Sequence, residues 1–228
     1  EVLFTEPVCK EYRYKSEVKS RSGKTLTGKP KNVYCEPKND SEASGSRYSS
    51  PQKRLVDWIN DPATKEVWFT YLSFTNKAVK EALCRNAKTR SLKVDFNLDS
   101  GTDLKAADEL VACAPSLIRY QTRGNVKGLG LAHNKIFLFN PRSSDEVRIV
   151  FSSGNMTSGP VLHHENWHFI TTNVKSHFAQ SHLCVMNAEG DDAAMASRSD
   201  YLTYIKNCRE KISSPEETDI RSFFVPGE

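Results

Sequence analysis

Three short segments carry residues whose types and spacing could do chemistry. His133 and Lys135 stand two apart at the start of HNKIFLFN. Ser152, Ser153 and Asn155 fill the polar turn SSGNMTSG, and Glu165 sits in HHENWH, residues 163–168. The last segment contains His164-Glu165-x-x-His168, the H-E-x-x-H pattern of zinc metalloproteases. That pattern works on a helix, where residues i and i+4 lie only ~6 Å apart and both imidazoles reach one metal. Here Gly159-Pro160 precedes it, and the strand formers Trp167, Phe169, Ile170, Thr171 and Thr172 run through and beyond it. On a strand the two histidines would be ~13 Å apart, too far to share a zinc. His177 and His182 do not stand at the usual spacing for a third ligand. The zinc reading is therefore set aside, no metal or cofactor is expected, and Glu165 is left for other work.

The three segments fit phosphodiester chemistry instead. A neutral imidazole can attack phosphorus and form a covalent phosphohistidine. A lysine and a side-chain amide can hold the non-bridging oxygens as charge develops. A carboxylate beside an imidazole sets its tautomer and raises its basicity. Taken singly, each residue has an ordinary explanation: a hydrogen-bonded histidine, a solvated lysine, a turn, a surface carboxylate. Their order on successive strand-like runs is what makes them a candidate site.

The elements that must position these residues follow from periodicity and turn chemistry. Ser50-Pro51 is a cap-and-first-turn pair opening a helix over PQKRLVDWIN. EVWFTYLSF reads as a strand. Thr75 is expected to cap the helix NKAVKEALCRNAK, whose Ala78, Val79, Ala82 and Leu83 share a face. LKVDFNL, DLKAADELVACA and SLIRYQT continue as strand, helix and strand. HNKIFLF, EVRIVFSS and ENWHFITT are three further strands, expected to be neighbours and partly antiparallel. The alternation predicts an α/β fold, an α-β-α sandwich with a mixed, largely parallel central sheet flanked by helices. Three regions are expected. Residues 1–50 form an N-terminal strand and a basic, Ser/Lys-rich loop. Residues 51–178 form the domain bearing the candidate site. Residues 179–228 form two helices and a linker strand. The opening EVLFTEP and the closing RSFFVPG are both a short apolar run followed by Pro, which raises a second copy of the unit starting near residue 221.

HNKIFLFN…FSSGNMTSG…HHENW resembles the H-x-K…G-S-x-N…E signature of the phospholipase D superfamily, over roughly residues 52–178. The resemblance implies that His133 is the nucleophile or its acid partner, that Lys135 and Asn155 bind phosphate, that Ser153 supports it, and that Glu165 orients a histidine. Two positions depart from the pattern: Asn140 stands where the family has an Asp usually thought structural, and Ser152-Ser153 replaces Gly-Ser. The family site needs two histidines, and one H-x-K is present. A homodimer partner, or a second repeat or chain, is expected to supply the other half.

The composition of the 228 residues, with 38% hydrophobic and 26% charged, suits a globular protein and excludes a disordered class. The net charge of +4 and the cluster from Lys10 to Lys31 favour a polyanion, and single-motif members of the family resemble nucleases. Nucleic acid is thus the expected substrate. The alternatives are phospholipid hydrolysis or transphosphatidylation, for which KGLGLA and MTSGPVL could border the site, and an inactive phosphate-binding module. Six cysteines without a C-x-x-C pair, and a start at Glu1, suggest an exported, periplasmic or secreted protein with disulfides. Cys9 with Cys35 is the expected pair.

Overall fold

Ser50 Oγ accepts a hydrogen bond from the Lys53 amide at 3.4 Å and Pro51 occupies the first turn, so α1 (Pro51–Asn60) starts where the capping pair places it. The next helix, α2 (Lys77–Arg90), is capped one residue later than expected. Asn76 takes that place because its amide serves two purposes: Oδ1 accepts from the Val79 amide at 3.1 Å, and Nδ2 donates to the Thr157 carbonyl at 2.9 Å. A threonine hydroxyl could not do both across that span.

The computed structural model describes residues 1–5, 45–124, 130–157 and 165–224, and the backbone of residues 12–14 and 33–35. The basic cluster therefore lies outside the described side chains, as do Cys9, His163, His164, half of KGLGLA and most of MTSGPVL.

Strands β1 (Val2–Phe4), β4 (Glu66–Tyr71), β5 (Lys93–Asp99), β6 (Ile118–Arg123), β7 (Ile136–Phe139), β8 (Glu146–Ser152) and β9 (Asn166–Asn173) form a seven-stranded sheet in the order β1-β9-β8-β7-β4-β5-β6. The short strands β2 (Tyr12–Tyr14) and β3 (Val33–Cys35) pair antiparallel as a separate ribbon. The large sheet is mixed, as the alternation predicts, but it is not largely parallel: four of its six pairings among the described residues are antiparallel. Its parallel pairings are β4–β5 and β5–β6, each joined by a crossover helix, α2 and then α3 (Lys105–Cys113). The remaining pairings are antiparallel, because β7, β8 and β9 follow one another as a meander and β1 docks on β9.

Alternation along the strands sends side chains into two apolar layers. Phe69, Phe96, Phe137 and Phe139 face α1, α2 and α3. Trp68, Leu138, Val147 and Ile149 face α4 (His177–Gly190) and α5 (Arg198–Arg209). Two disulfides tie each layer internally: Cys84–Cys113 joins α2 to α3, and Cys184–Cys208 joins α4 to α5. Closing loops of these lengths contributes roughly 3 kcal/mol each. No described helix is long and apolar enough to cross a membrane. Residues 213–224 carry neither helix nor strand, so the linker strand expected at the C-terminal end does not form within the described residues.

Asn140, the residue that departs from the family pattern, ends β7 at the opposite edge from His133. Its backbone is left-handed (φ 58°), a conformation Asn tolerates better than most side chains. Its Oδ1 accepts from the Lys65 and Glu66 amides at 2.7 and 3.2 Å, and its Nδ2 donates to the Ala63 carbonyl at 2.9 Å. An Asp could make the first two bonds but not the third. Asn140→Ala should lower stability by about 2 kcal/mol in denaturant unfolding. Any activity per folded molecule should stay unchanged, since the site is roughly 17 Å away along the strand.

Candidate active site

Three strand ends meet at one edge of the sheet. β7 begins immediately after Lys135, β8 ends immediately before Ser153, and β9 begins immediately after Glu165. The antiparallel meander turns these sequence-distant segments into neighbours. The parallel strands β4, β5 and β6 also end on this edge, at Tyr71, Asp99 and Arg123.

His133 is exposed, whereas Lys135 is buried with 7% of its surface accessible. The Lys135 ammonium lies against the imidazole, 3.2 Å from Nδ1 and 3.3 Å from Nε2, and donates to the His133 carbonyl at 3.0 Å. Burial holds the His133 pKa below its ordinary value, and the adjacent Lys135 charge lowers it further, against a smaller opposing pull from Asp99. The shift favours the neutral imidazole, with a lone pair to offer. Burial likewise lowers the Lys135 pKa, with the Glu165 carboxylate acting in the opposite sense.

Ser153 Oγ donates to Glu165 Oε2 and accepts from the Asn166 amide at 3.1 Å. Glu165 is fixed from the other side by the N-terminal strand: its amide donates to Thr5 Oγ1 at 2.6 Å, and its carbonyl accepts from the Thr5 amide at 3.0 Å. Gly154 makes room for this arrangement, since a Cβ there would lie 3.0 Å from Glu165 Cγ and 3.2 Å from the Trp167 ring. Ser152 Oγ donates to the Gly154 carbonyl at 2.9 Å and lies 3.4 Å from Tyr71 Oη, which stiffens the turn. The buried Oδ1 of Asn155 has no hydrogen-bond partner among the described residues. The six residues singled out in the sequence, His133, Lys135, Ser152, Ser153, Asn155 and Glu165, thus border one edge. Lys135 touches His133, and Glu165 touches Ser153.

Three supporting residues carry no local sequence signal. Buried Asp99, at the end of β5, accepts from the Ala132 amide at 2.7 Å and from the Gly101 amide at 2.8 Å. Gly124 (φ 87°) must be glycine, because a side chain there would collide with that carboxylate and with the Ala132 amide. Glu189, buried on α4, accepts from Asn134 Nδ2, the residue between His133 and Lys135. The segment carrying His133 and Lys135 is thus held from β5 on one flank and from α4 on the other. Only Gly154 could have been suspected, from its place beside Asn155.

H-E-x-x-H does not fall on a helix: His168 is inside β9, stacked on Phe151 with ring centroids 4.6 Å apart. Deeper on the same face, His182 is almost fully buried, and its Nδ1 lies 2.9 Å from the Phe178 carbonyl. Burial pushes its pKa down to about 4, although the Phe178 carbonyl opposes this. The unfolded chain therefore binds the extra proton first. The stability that follows from keeping His182 neutral is complete above pH ~6.5 and is lost as pH falls to about 4, by about 3 kcal/mol. Urea unfolding of wild type and His182→Gln across pH 4–7 should show this slope in the wild type and a flatter one in the variant.

No family model matches the sequence, and no curated protein matches it. Solved structures do match. Nuc, a phospholipase D family member from Salmonella typhimurium, superposes with a TM-score of 0.50 at 20% identity, over 64% of this chain and 90% of its own. The chain has the phospholipase D fold. Two fainter likenesses are yeast tyrosyl-DNA phosphodiesterase (13% identity, TM-score 0.43, 69% of this chain) and polyphosphate kinase from Porphyromonas gingivalis (12%, 0.48, 70%). This chain spans 37% and 26% of those proteins. On this phospholipase D fold the H-x-K, S-x-N and Glu segments occupy adjacent strand ends at one edge of the sheet.

Proposed function

We propose that this chain is one half of a metal-independent phosphodiesterase that hydrolyses nucleic acid through a phosphohistidine. The observation that carries the reading is the contact between an exposed imidazole, its neutral form favoured, and a buried ammonium at the strand edge shared with Ser153, Asn155 and Glu165. A lone pair of His133 attacks phosphorus, and the bond from phosphorus to the leaving oxygen breaks. Lys135 and the Asn155 amide hold the non-bridging oxygens. A second histidine protonates the leaving oxygen, then takes a proton from the water that attacks phosphorus and breaks the P–N bond, freeing His133. That second histidine comes from another H-x-K half, supplied by a homodimer partner or by a second repeat or chain. The Ser153–Glu165 pair holds the phosphate turn, and the Glu165 charge keeps Lys135 cationic against its burial. The net charge of +4 favours a polyanionic substrate. The two disulfides suit export to an oxidising compartment.

Incubation with plasmid and single-stranded DNA in EDTA tests the reading; EDTA-resistant cleavage is expected. Glu165→Gln should lower that rate by roughly 10–100-fold while His168→Ala leaves kcat intact. An active species that sediments strictly as a monomer of this chain would refute the half-site. Phospholipid hydrolysis or head-group transfer is the second reading, favoured by exposed Leu131 (57%) close to His133. Release of choline from phosphatidylcholine, with DNA left intact, would establish it. Ligand binding with no activity sensitive to His133→Ala would mark an inactive phosphate-binding module.

A further inference from the structure

A cavity of about 530 Å³ opens from His133 and Lys135 along the α4 face of the sheet. Its walls carry aromatic rings, the stacked pair Phe151–His168, then Phe178 and His182 on α4 with ring centroids 4.4 Å apart, interleaved with Ile136, Ile170 and Ile220. Residues 220–224 close the outer side. Phe224 meets His182 edge-on at 5.1 Å, and Phe223 is 81% exposed. The substrate reading above uses only the phosphate end of this space.

We infer that the cavity is a nucleobase subsite: a base next to the scissile phosphate stacks among Phe151, His168, Phe178 and Phe223 while its phosphate rests at Lys135. The inference rests on the nucleic-acid reading and names where the base goes. Flat rings without fixed charge suit a base, because every base offers a π-face. Burial lowers the pKa of both imidazoles and so favours their uncharged form. Arg221 also lines the cavity and adds a second cation to its wall, which suits a polyanionic ligand. A quaternary ammonium head group is disfavoured by Lys135 and Arg221, whose charges oppose its cation–π capture. An acyl chain gains little from walls that include two imidazoles.

Equilibrium binding of dAMP, deoxyribose 5-phosphate and phosphocholine to the full chain tests this without requiring turnover. We expect dAMP to bind at least about tenfold more tightly than deoxyribose 5-phosphate. Phe223→Ala, at an exposed position that should not disturb folding, and His168→Ala should each shrink that ratio at least about threefold and leave deoxyribose 5-phosphate binding unchanged. Equal binding of the two phosphates, preference for phosphocholine, or no binding of any probe overturns the subsite. Selective dAMP binding without EDTA-resistant DNA cleavage overturns only the enzymatic reading.

Discussion

His133→Asn should reduce phosphodiester cleavage by about 10³-fold or more, the largest effect of any substitution in this chain. Asn preserves much of the size and polarity of the ring but has no basic nitrogen to attack phosphorus. What survives is the phosphate binding supplied by Lys135 and Asn155, so KM should change far less than kcat. His133 lies exposed at the edge of the sheet, and its replacement opens no core cavity. Unfolding curves of the two proteins should therefore superimpose. In the wild type, a denaturing quench at alkaline pH during turnover, followed by separation at high pH, should trap a nucleotide on the protein through its phosphate. His133→Asn should trap none. The rate should rise with pH as His133 loses its proton, at a pKa held low by burial and then by Lys135, and fall again as the second histidine, which must enter protonated, loses its own. A rate unaffected by His133→Asn removes the covalent mechanism.

Lys135→Met should cost roughly 10²–10³-fold in kcat, by removing the charge that meets the non-bridging oxygens in the transition state. A second consequence separates this role from a merely structural one. The ammonium that helps hold the His133 pKa down is gone, so the acid limb of the pH profile should move upward. Arg at this position should rescue poorly. The buried ammonium is a compact charge 3.2 Å from the ring, and a planar guanidinium fork cannot enter the same space. An unmoved acid limb in Lys135→Met would show that the two residues do not interact as the geometry implies.

Much of the site was legible because its parts are local. His133 and Lys135 stand at i and i+2 before a strand, and strand propensity alone places His168 on a strand and not on a helix. The boundaries of α1 and the strand character of β7, β8 and β9 also follow from capping and β-propensity within a few residues. The cap of α2 fell one residue away from expectation because Asn76 was chosen by its long-range bond to Thr157.

Other features depend on groups far apart in sequence. Asp99, Gly124 and Glu189 hold the segment bearing His133 and Lys135 from 33 to 55 residues away for the two carboxylates. Nothing near any of them in sequence marks that task. The N-terminal strand, read as part of a separate region, pairs with β9 and anchors Glu165 through Thr5. The disulfides pair helices within each layer, a choice that six cysteines cannot reveal by spacing. The expected Cys9–Cys35 pair includes a residue outside the described part of the chain.

The sequence by itself offered the residues that could do the chemistry and the strands that bear them, including the strand character of the segment around His168. Only the tertiary structure decided the parallel-to-antiparallel change at β7, the far-edge role of Asn140 and the aromatic cavity beside His133. The physical reason is that residue type and periodicity act over a few residues. Sheet order, carboxylate clamps and cavities arise where strands and helices distant in sequence bury a common surface.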